Sequence, residues 1–247
     1  MNFFSLFKRK LIYNLKTKTL IDNDNLYDKS LDYLFNYYGS DKADVFKFTN
    51  EKSHGFSKFY SKKLEKFKSK NLKILEIGSF SGASAAAFSK YFPNSDIFCF
   101  DINISNFRYQ SEKIHVFGLD INNKKKVTET IEKIFSNFKT KNFDLIIDDG
   151  SHNLSDILLG LKFFFKFLAN NSYYIIEDFK YPNYYKYNRD TEDILVDKLI
   201  KNLQEKKISN SLTFNQKEQL FLIENIEHIE TFKGNLHDSD ICFIKKK

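Results

Sequence analysis

Short apolar runs alternate with amphipathic stretches over residues 72–206, and this alternation predicts an α/β fold. Strands are predicted over residues 72–77, 96–101, 115–119, 143–147 and 173–176. Helices are predicted over residues 82–91, 126–138 and 154–168, and Asn170-Asn171 is predicted to end the last of these because Asn tolerates the left-handed conformation. Strands and helices that alternate in this way are typical of a parallel sheet buried on both faces.

The pattern changes after the fifth strand. Residues 191–206 predict one more helix, and residues 227–232 and 239–245 predict two strands joined by a loop that contains Gly234-Asn235. A closing hairpin places one antiparallel strand in an otherwise parallel sheet. We therefore expect a Rossmann-like, doubly wound and mostly parallel sheet of seven strands.

The N-terminal part has a different character. Leu26, Leu31, Leu34 and Phe35 recur at helical spacing, and residues 56–67 form a basic amphipathic stretch. Since no repeat and no Pro/Gly linker interrupts the chain, we expect residues 1–70 to form a helical cap on a domain of residues 71–247. The apolar start of residues 1–10 predicts a docked or frayed terminal helix rather than a weak membrane-surface helix.

Composition narrows the class of protein. Hydrophobic residues make up 42% of the chain and charged residues 29%, and no apolar run reaches the ~18–20 residues of a membrane span. The first ten residues lack the order of a signal peptide, so a cytoplasmic location is expected. Cys99 and Cys242 lie in predicted strands and are interpreted as buried thiols, and no Cys/His spacing predicts a zinc site. The net charge of +7 is spread along the chain, which is typical of a solvated surface and is compatible with a phosphate-bearing substrate.

Glycine and acidic residues follow the first three strands. Gly78 and Gly82 allow a tight turn close to a ligand, Asp101 can accept hydrogen bonds from both ribose hydroxyls, and Asp120 is placed to meet an adenine edge. Phe80 stands where a dinucleotide fold needs glycine, and no phosphate-binding P-loop occurs. A tight turn alone would explain the glycines, but together with the two acids they favour S-adenosylmethionine as the cofactor.

The segment Glu76-Ile77-Gly78-Ser79-Phe80-Ser81-Gly82, with an acid after strand two, resembles the class I S-adenosylmethionine-dependent methyltransferases. The resemblance covers about residues 72–247 and implies the fold and the cofactor. It places Glu76, Ser79 and Ser84 on the cofactor side together with the glycines and acids named above.

Carboxylates also follow strands four and five, as Asp148-Asp149-Gly150-Ser151-His152 and Glu177-Asp178. Carboxylates that converge need a cation or a proton between them. Hard oxygen ligands suit Mg²⁺, with Mn²⁺ or Ca²⁺ as alternatives. The metal would lower the pKa of a substrate hydroxyl, and His152 would take its proton. Taken one at a time, these residues also have simpler explanations. Asp149-Gly150 is explained as a turn, Ser151 as a helix N-cap, His152 as a surface histidine and Glu177-Asp178 as solvated loop charges.

These two segments are similar to those of the metal-dependent sugar O-methyltransferases of macrolide biosynthesis (the mycinamicin type) and related polysaccharide methyltransferases. The resemblance implies Asp149, Glu177 and Asp178 as metal ligands, His152 as the base and Asp148 on the cofactor side. Upstream, it implies that Lys42, His54 and Tyr60 contribute to the cofactor pocket. The chain departs from the family pattern at Phe56, at Asn170-Asn171 and at Phe179-Lys180.

The resulting hypothesis is an S-adenosylmethionine-dependent, Mg²⁺- or Mn²⁺-assisted O-methyltransferase. The acceptor would be a sugar hydroxyl on a nucleotide-linked sugar or a surface polysaccharide precursor, with residues 181–187 as a substrate loop or a plain surface loop. The alternatives are a metal-free methyltransferase of nucleic acid or small molecules, and a non-catalytic cofactor-binding module. Nucleic acid is not favoured. Residues 58–70 offer only a weak basic patch with interleaved aromatic residues, and strand four is followed by Asp-Asp-Gly-Ser-His instead of an N-P-P-Y-type motif. The oligomeric state is left open, with a homo-oligomer among the alternatives.

Overall fold

The computed structural model describes residues 3–247, so Met1 and Asn2 of the predicted terminal segment lie outside the described residues. The chain divides into two compact units, one that ends at Lys139 and one that runs from Thr140 to Lys247. This division falls well beyond residue 70, and the cap over residues 1–70 stays a prediction.

The first unit contains three parallel strands of the seven-stranded main sheet and five helices among its described residues. The strands are β1 (Lys73–Ile77), β2 (Asp96–Asp101) and β3 (Ile114–Gly118), in that spatial order. The helices are α1 (Phe3–Leu15), α2 (Leu31–Tyr38), α3 (Ser57–Leu64), α4 (Ala83–Tyr91) and α5 (Lys124–Phe138), with 3₁₀ turns at Glu65–Phe67 and Ile104–Asn106. Two-residue strands pair Thr19–Leu20 with Tyr109–Gln110 and Val45–Phe46 with Glu51–Lys52.

Helix α4 shows how the sequence builds this unit. It begins at the C-terminal end of β1 and consists mainly of small side chains, every one of which is buried. Small residues let the helix lie close to α2, where the rings of Phe35 and Phe88 meet edge to face at 5.3 Å. Close packing holds the turn between β1 and α4 in place.

The second unit contains the remaining four strands of the main sheet, in the order β6-β7-β5-β4. The strands are β4 (Phe143–Asp148), β5 (Leu168–Glu177), β6 (Ile226–Lys233) and β7 (Asp240–Lys246). The helices are α6 (Leu154–Phe164), α7 (Tyr181–Tyr184), α8 (Val196–Gln204) and α9 (Gln216–Asn225), with 3₁₀ turns at Phe165–Phe167 and Lys186–Asn188. Strands β4 and β5 are parallel, and β7 is antiparallel to both of its neighbours.

The doubly wound, mostly parallel seven-stranded α/β fold is therefore confirmed over the described residues, including the single antiparallel strand of the closing hairpin. No helix among residues 3–247 combines the length and apolar character that crossing a bilayer requires.

One boundary prediction is wrong. Helix α6 ends at Phe164 and passes through a 3₁₀ turn into β5, so Asn170-Asn171 lies inside a strand and does not end the helix. Asn171 does adopt the left-handed conformation, with φ 60°. The pairing of β4 with β5 shifts register beside this segment, which places the left-handed residue at an irregularity of the sheet.

Helix α9 was not predicted, and its burial pattern explains why. Its buried side chains include Gln219, whose amide bonds the backbone of Ser209 and Phe214, whereas the apolar residues Leu220 and Phe221 are partly exposed. A hydrophobic period therefore does not mark the helix. Its clearest sequence signal is the capping box formed by Asn215 and Glu218.

Candidate active site

The turn after β1 has the backbone that its glycines predict. Gly78 and Gly82 have φ values of 84° and 75°, and Phe80 between them has φ 41°, a conformation that non-glycine residues rarely adopt. The N–H of Gly78 donates to the carbonyl of Phe100, and the N–H of Gly82 donates to that of Ser79. The turn is thereby fixed at the carboxyl end of the parallel strands, where α/β folds bind ligands.

Asp101, at the end of β2, ties this turn to the next loop. Its two carboxylate oxygens accept the N–H of Phe80 at 2.8 Å and the N–H of Asn103 at 2.6 Å. A carboxylate has about four acceptor positions, so both oxygens keep capacity for a ribose hydroxyl. The prediction that Asp101 binds the cofactor thus fits a carboxylate that is already oriented by the backbone.

Glu76 and Ser84 meet beneath the same turn. Glu76 is fully buried, the Ser84 hydroxyl donates to its Oε1, and the Ser79 hydroxyl donates to its backbone carbonyl at 3.4 Å. These residues join the start of α4 to the end of β1. Three of the predicted cofactor-side residues therefore form one hydrogen-bonded group.

The other predicted cofactor residues of the first unit have varied environments. Asp120 accepts the N–H of Asn122 in the loop after β3. Lys42 is buried, and the His54 ring lies 5.2 Å from that of Phe56. Tyr60 is fully buried against the rings of Phe35 and Phe88, at 6.1 and 5.5 Å. A role of these residues in cofactor binding stays a prediction.

A second group of predicted residues lies entirely within the second unit. Asp149, His152 and Asp178 each offer a ligand atom, and these atoms lie within 4.8 Å of one another. His152 Nε2 is 3.8 Å from Asp149 Oδ1, and the His152 ring lies 4.8 Å from the Tyr181 ring. Two carboxylates and an imidazole thus converge where the sequence predicts a metal and a base.

The backbone at this group is strained. His152 and Asp178 have φ values of 57° and 50°, in the left-handed region that disfavours side chains. Such conformations cost roughly 1–3 kcal/mol each and are concentrated at functional sites. The fold therefore holds these two side chains in positions that local preference would not choose.

Glu177 and Asp148 are placed differently from Asp149 and Asp178. Glu177 is buried at the end of β5 opposite Ile241 and is not among the three converging residues. Asp148 accepts a hydrogen bond from the Tyr174 hydroxyl at 3.1 Å, and burial raises the pKa of its carboxyl to about 7. Their predicted roles, as a metal ligand and on the cofactor side, stay predictions.

The sequence interpretation missed what holds the tyrosine-rich segment 181–187. Buried Asp240, at the start of β7, accepts Lys180 Nζ at 3.0 Å, the Tyr184 hydroxyl at 2.8 Å and Lys233 Nζ at 2.7 Å. Asp238 in the same hairpin accepts the Tyr185 hydroxyl at 2.7 Å. Because Lys180 comes two residues after Asp178, Asp240 also anchors the chain that leaves the candidate metal site.

We expect Asp240→Asn to lower the free energy of unfolding by about 2 kcal/mol, since hydrogen bonds to a buried charge contribute about 1.5–3 kcal/mol. Burial alone would raise the pKa of Asp240, but the donors Lys233, Tyr184 and Lys180 hold it below its usual range. Its stabilisation is therefore present above pH ~4 and is lost as the pH falls through the folded-state pKa. Urea titrations from pH 3 to 7 should show a larger acid-dependent loss in the wild type than in the variant, which keeps other carboxylates of lowered pKa such as Asp193, with Asp238→Asn as the milder control.

Comparison with known proteins agrees with this geometry. Residues 75–179 match the family model described as a methyltransferase domain, a segment that includes the turn after β1 and the converging acids after β4 and β5. A search of curated protein sequences gives no match.

Two solved structures illustrate the fold. The MycE methyltransferase from the mycinamycin biosynthetic pathway, in complex with Mg, SAH and mycinamycin VI, has 21% identity and a TM-score of 0.62 over 88% of this chain and 54% of its own. This chain thus spans about half of that protein. The O-methyltransferase TomG from Streptomyces achromogenes, in complex with SAM, has 12% identity and a TM-score of 0.50 over 98% and 96% of the two chains.

Proposed function

We propose that this chain is an S-adenosylmethionine-dependent methyltransferase of the class I fold, and that it acts with a divalent metal as an O-methyltransferase of a sugar hydroxyl. The observation that carries the proposal is the convergence of Asp149, His152 and Asp178 within 4.8 Å. Support also comes from MycE, which is described in complex with Mg and a mycinamycin.

The donor set fits a hard cation. Carboxylates suit Mg²⁺ and Mn²⁺, whereas imidazole is more typical of zinc, copper, iron and nickel. We therefore assign Asp149 and Asp178 as the metal ligands and His152 as the base, and Glu177 remains a further candidate ligand. When bound, the metal would lower the pKa of a coordinated hydroxyl and compensate the like charges of the two carboxylates.

Hydrogen bonds in the adjoining loop and a ring contact hold His152 in position for this role. Asn153 N–H donates to Ser151 Oγ, and the buried Asn188 amide donates to the Ser151 carbonyl, so the loop that carries His152 is held on both sides. The Tyr181 ring lies against the imidazole and limits its rotation. A histidine fixed in this way can accept the acceptor hydroxyl proton near neutral pH.

The residues proposed to bind the cofactor lie in the first unit. The turn Gly78–Gly82 and the oriented carboxylate of Asp101 would hold the amino acid and ribose parts of S-adenosylmethionine. Bound S-adenosylmethionine supplies the activated methyl group. The positive net charge of +7 supports an acceptor that carries phosphate, such as a nucleotide-linked sugar.

The test is methyl transfer to a panel of nucleotide-linked sugars, measured as S-adenosylhomocysteine release with Mg²⁺, with Mn²⁺ and with EDTA. At least one sugar acceptor should turn over, and EDTA should slow that reaction about 100-fold, which corresponds to about 2.7 kcal/mol of activation free energy. Reconstitution with Mg²⁺ is the control for damage by EDTA. EDTA-resistant turnover would contradict the metal, and turnover only with nucleic acid would contradict the sugar.

A further inference from the structure

Helix α1 presents an apolar face to solvent. Four side chains on this outer face of α1 are largely exposed: Phe4 (76%), Phe7 (62%), Leu11 (50%) and Leu15 (75%). Their spacing of three, four and four residues places them on one side of an α-helix. A contiguous apolar stripe on the surface marks an interaction site more often than scattered apolar residues do.

The opposite side of α1 faces the protein. Tyr13 is partly buried there, the helix packs against the 3₁₀ turn Ile104–Asn106, and the stem of Lys10 lies over Gly118. Because this inner face already fixes the helix to the first unit, the outer face is not required for folding. The sequence predicted a docked or frayed terminal helix, and α1 packs on this 3₁₀ turn through its inner face.

The charge around α1 is positive. Residues 1–21 contain no Asp or Glu, and their five cationic residues are Lys8, Arg9, Lys10, Lys16 and Lys18. The positive surface continues onto α5, because Lys10, Lys126 and Lys133 line a cavity of about 380 Å³ beside α1. Of these three lysines, Lys126 has an acidic neighbour, since its Nζ is 3.9 Å from the carboxylate of Glu129.

We propose that α1 is a membrane-surface helix that inserts its outer face into a bilayer containing anionic lipid. An exposed apolar stripe flanked by cations has the pattern of helices that lie in the plane of a bilayer. The lysines beside it attract an anionic surface over about a Debye length, which is about 10 Å at 0.1 M salt. This inference does not depend on the proposed acceptor or metal, and it would bring the enzyme to a lipid surface.

The test is flotation of the full chain with phosphatidylcholine vesicles that contain or lack phosphatidylglycerol. We expect binding to the anionic vesicles, and binding about tenfold weaker or more without phosphatidylglycerol or at high salt. The double variant Phe7→Ser with Leu11→Ser should reduce the partition coefficient about tenfold or more. Leu212→Ser with Leu220→Ser, which changes exposed leucines outside α1, is the matched control and should bind as the wild type does.

A tryptophan introduced on the outer face of α1 reports whether that face contacts the bilayer. The chain has no Trp, so Phe7→Trp introduces a single indole on the outer face, and Leu212→Trp is its counterpart elsewhere. Emission of the Phe7→Trp protein should shift to the blue on anionic vesicles, and that of Leu212→Trp should not. Absence of flotation, or flotation with an unchanged Phe7→Trp spectrum, would overturn the proposal. So would lipid-independent dimerisation that Leu11→Ser abolishes, because a second copy would then cover the face.

Discussion

Replacing Asp178 by Asn is expected to weaken Mg²⁺ binding about 100-fold or more while the fold is retained. Asn tolerates the left-handed backbone at this position, where φ is 50°, so the substitution removes the charge without adding backbone strain. Loss of outer partners of metal ligands already costs 10–100-fold in affinity, and loss of a ligand carboxylate should cost at least as much. Isothermal titration calorimetry with Mg²⁺ alone measures the change and requires no acceptor.

Thermal stability gives an independent signature of the same site. In EDTA, Asp178→Asn should melt at or above the wild-type temperature, because it relieves repulsion with Asp149. Mg²⁺ at about 100 times its dissociation constant should stabilise the wild type by about 2.7 kcal/mol. The same Mg²⁺ concentration should change the stability of Asp178→Asn little. Asp238→Asn, a carboxylate of the same unit outside the converging group, is the matched control. Equal Mg²⁺ binding by Asp178→Asn and wild type would exclude Asp178 as a ligand.

Two further variants separate ligands from the base. His152→Asn should leave Mg²⁺ affinity nearly unchanged and lower the rate of methyl transfer about 10²–10⁴-fold, the usual contribution of a general base. A large loss of Mg²⁺ affinity would instead make His152 a ligand. Glu177→Gln should leave Mg²⁺ affinity unchanged if the three converging residues form the whole protein part of the site, and should weaken it if the family resemblance is right about Glu177.

The hydrophobic pattern predicted most of the sheet because each strand is short, apolar and bounded by polar residues. Strand β2 begins and ends at Asp96 and Asp101, as predicted, and β3 differs from its prediction by one residue at each end. The hydrophobic pattern was less informative where a polar side chain occupies a buried or conformationally special position. Gln219 replaces an apolar anchor in α9, and Asn171 sits in a left-handed position within β5.

The candidate site was predicted from the same logic, because carboxyl ends of neighbouring parallel strands lie at one edge of a sheet. This reasoning joined Asp149 and Asp178 but predicted Glu177 as a ligand beside them. Which of the two neighbouring acids converges with Asp149 depends on where the strand ends and on the φ of 50° at Asp178. Asp240 was missed because its partners Lys180 and Tyr184 are 60 and 56 residues away along the chain. Motif spacing carries no signal for such a contact.

The turn between β1 and α4 should be intolerant of even one added methyl group. Gly82 has φ 75°, and a Cβ placed there would lie 2.4 Å from the ring of Phe107. Left-handed backbone costs a non-glycine residue roughly 1–2 kcal/mol, and overpacking costs roughly 1–3 kcal/mol. We therefore expect Gly82→Ala to destabilise the protein by about 3 kcal/mol, lowering Tm by about 6–12 °C at 2–4 °C per kcal/mol, and to weaken S-adenosylmethionine binding.

A double-mutant cycle separates the two causes. Gly82→Ala combined with Phe107→Ala relieves the clash and leaves the backbone strain, so stability should recover by an interaction free energy of about 1–3 kcal/mol relative to additivity. Ser81→Ala, in the same turn, is the control for a methyl side chain without strain. If cofactor affinity recovers together with stability, the clash with the ring of Phe107 is what weakens cofactor binding in Gly82→Ala. If stability recovers in the double variant and cofactor affinity does not, the cofactor requires the left-handed backbone at Gly82. Wild-type affinity in the single variant Gly82→Ala would instead show that this turn does not belong to the cofactor site.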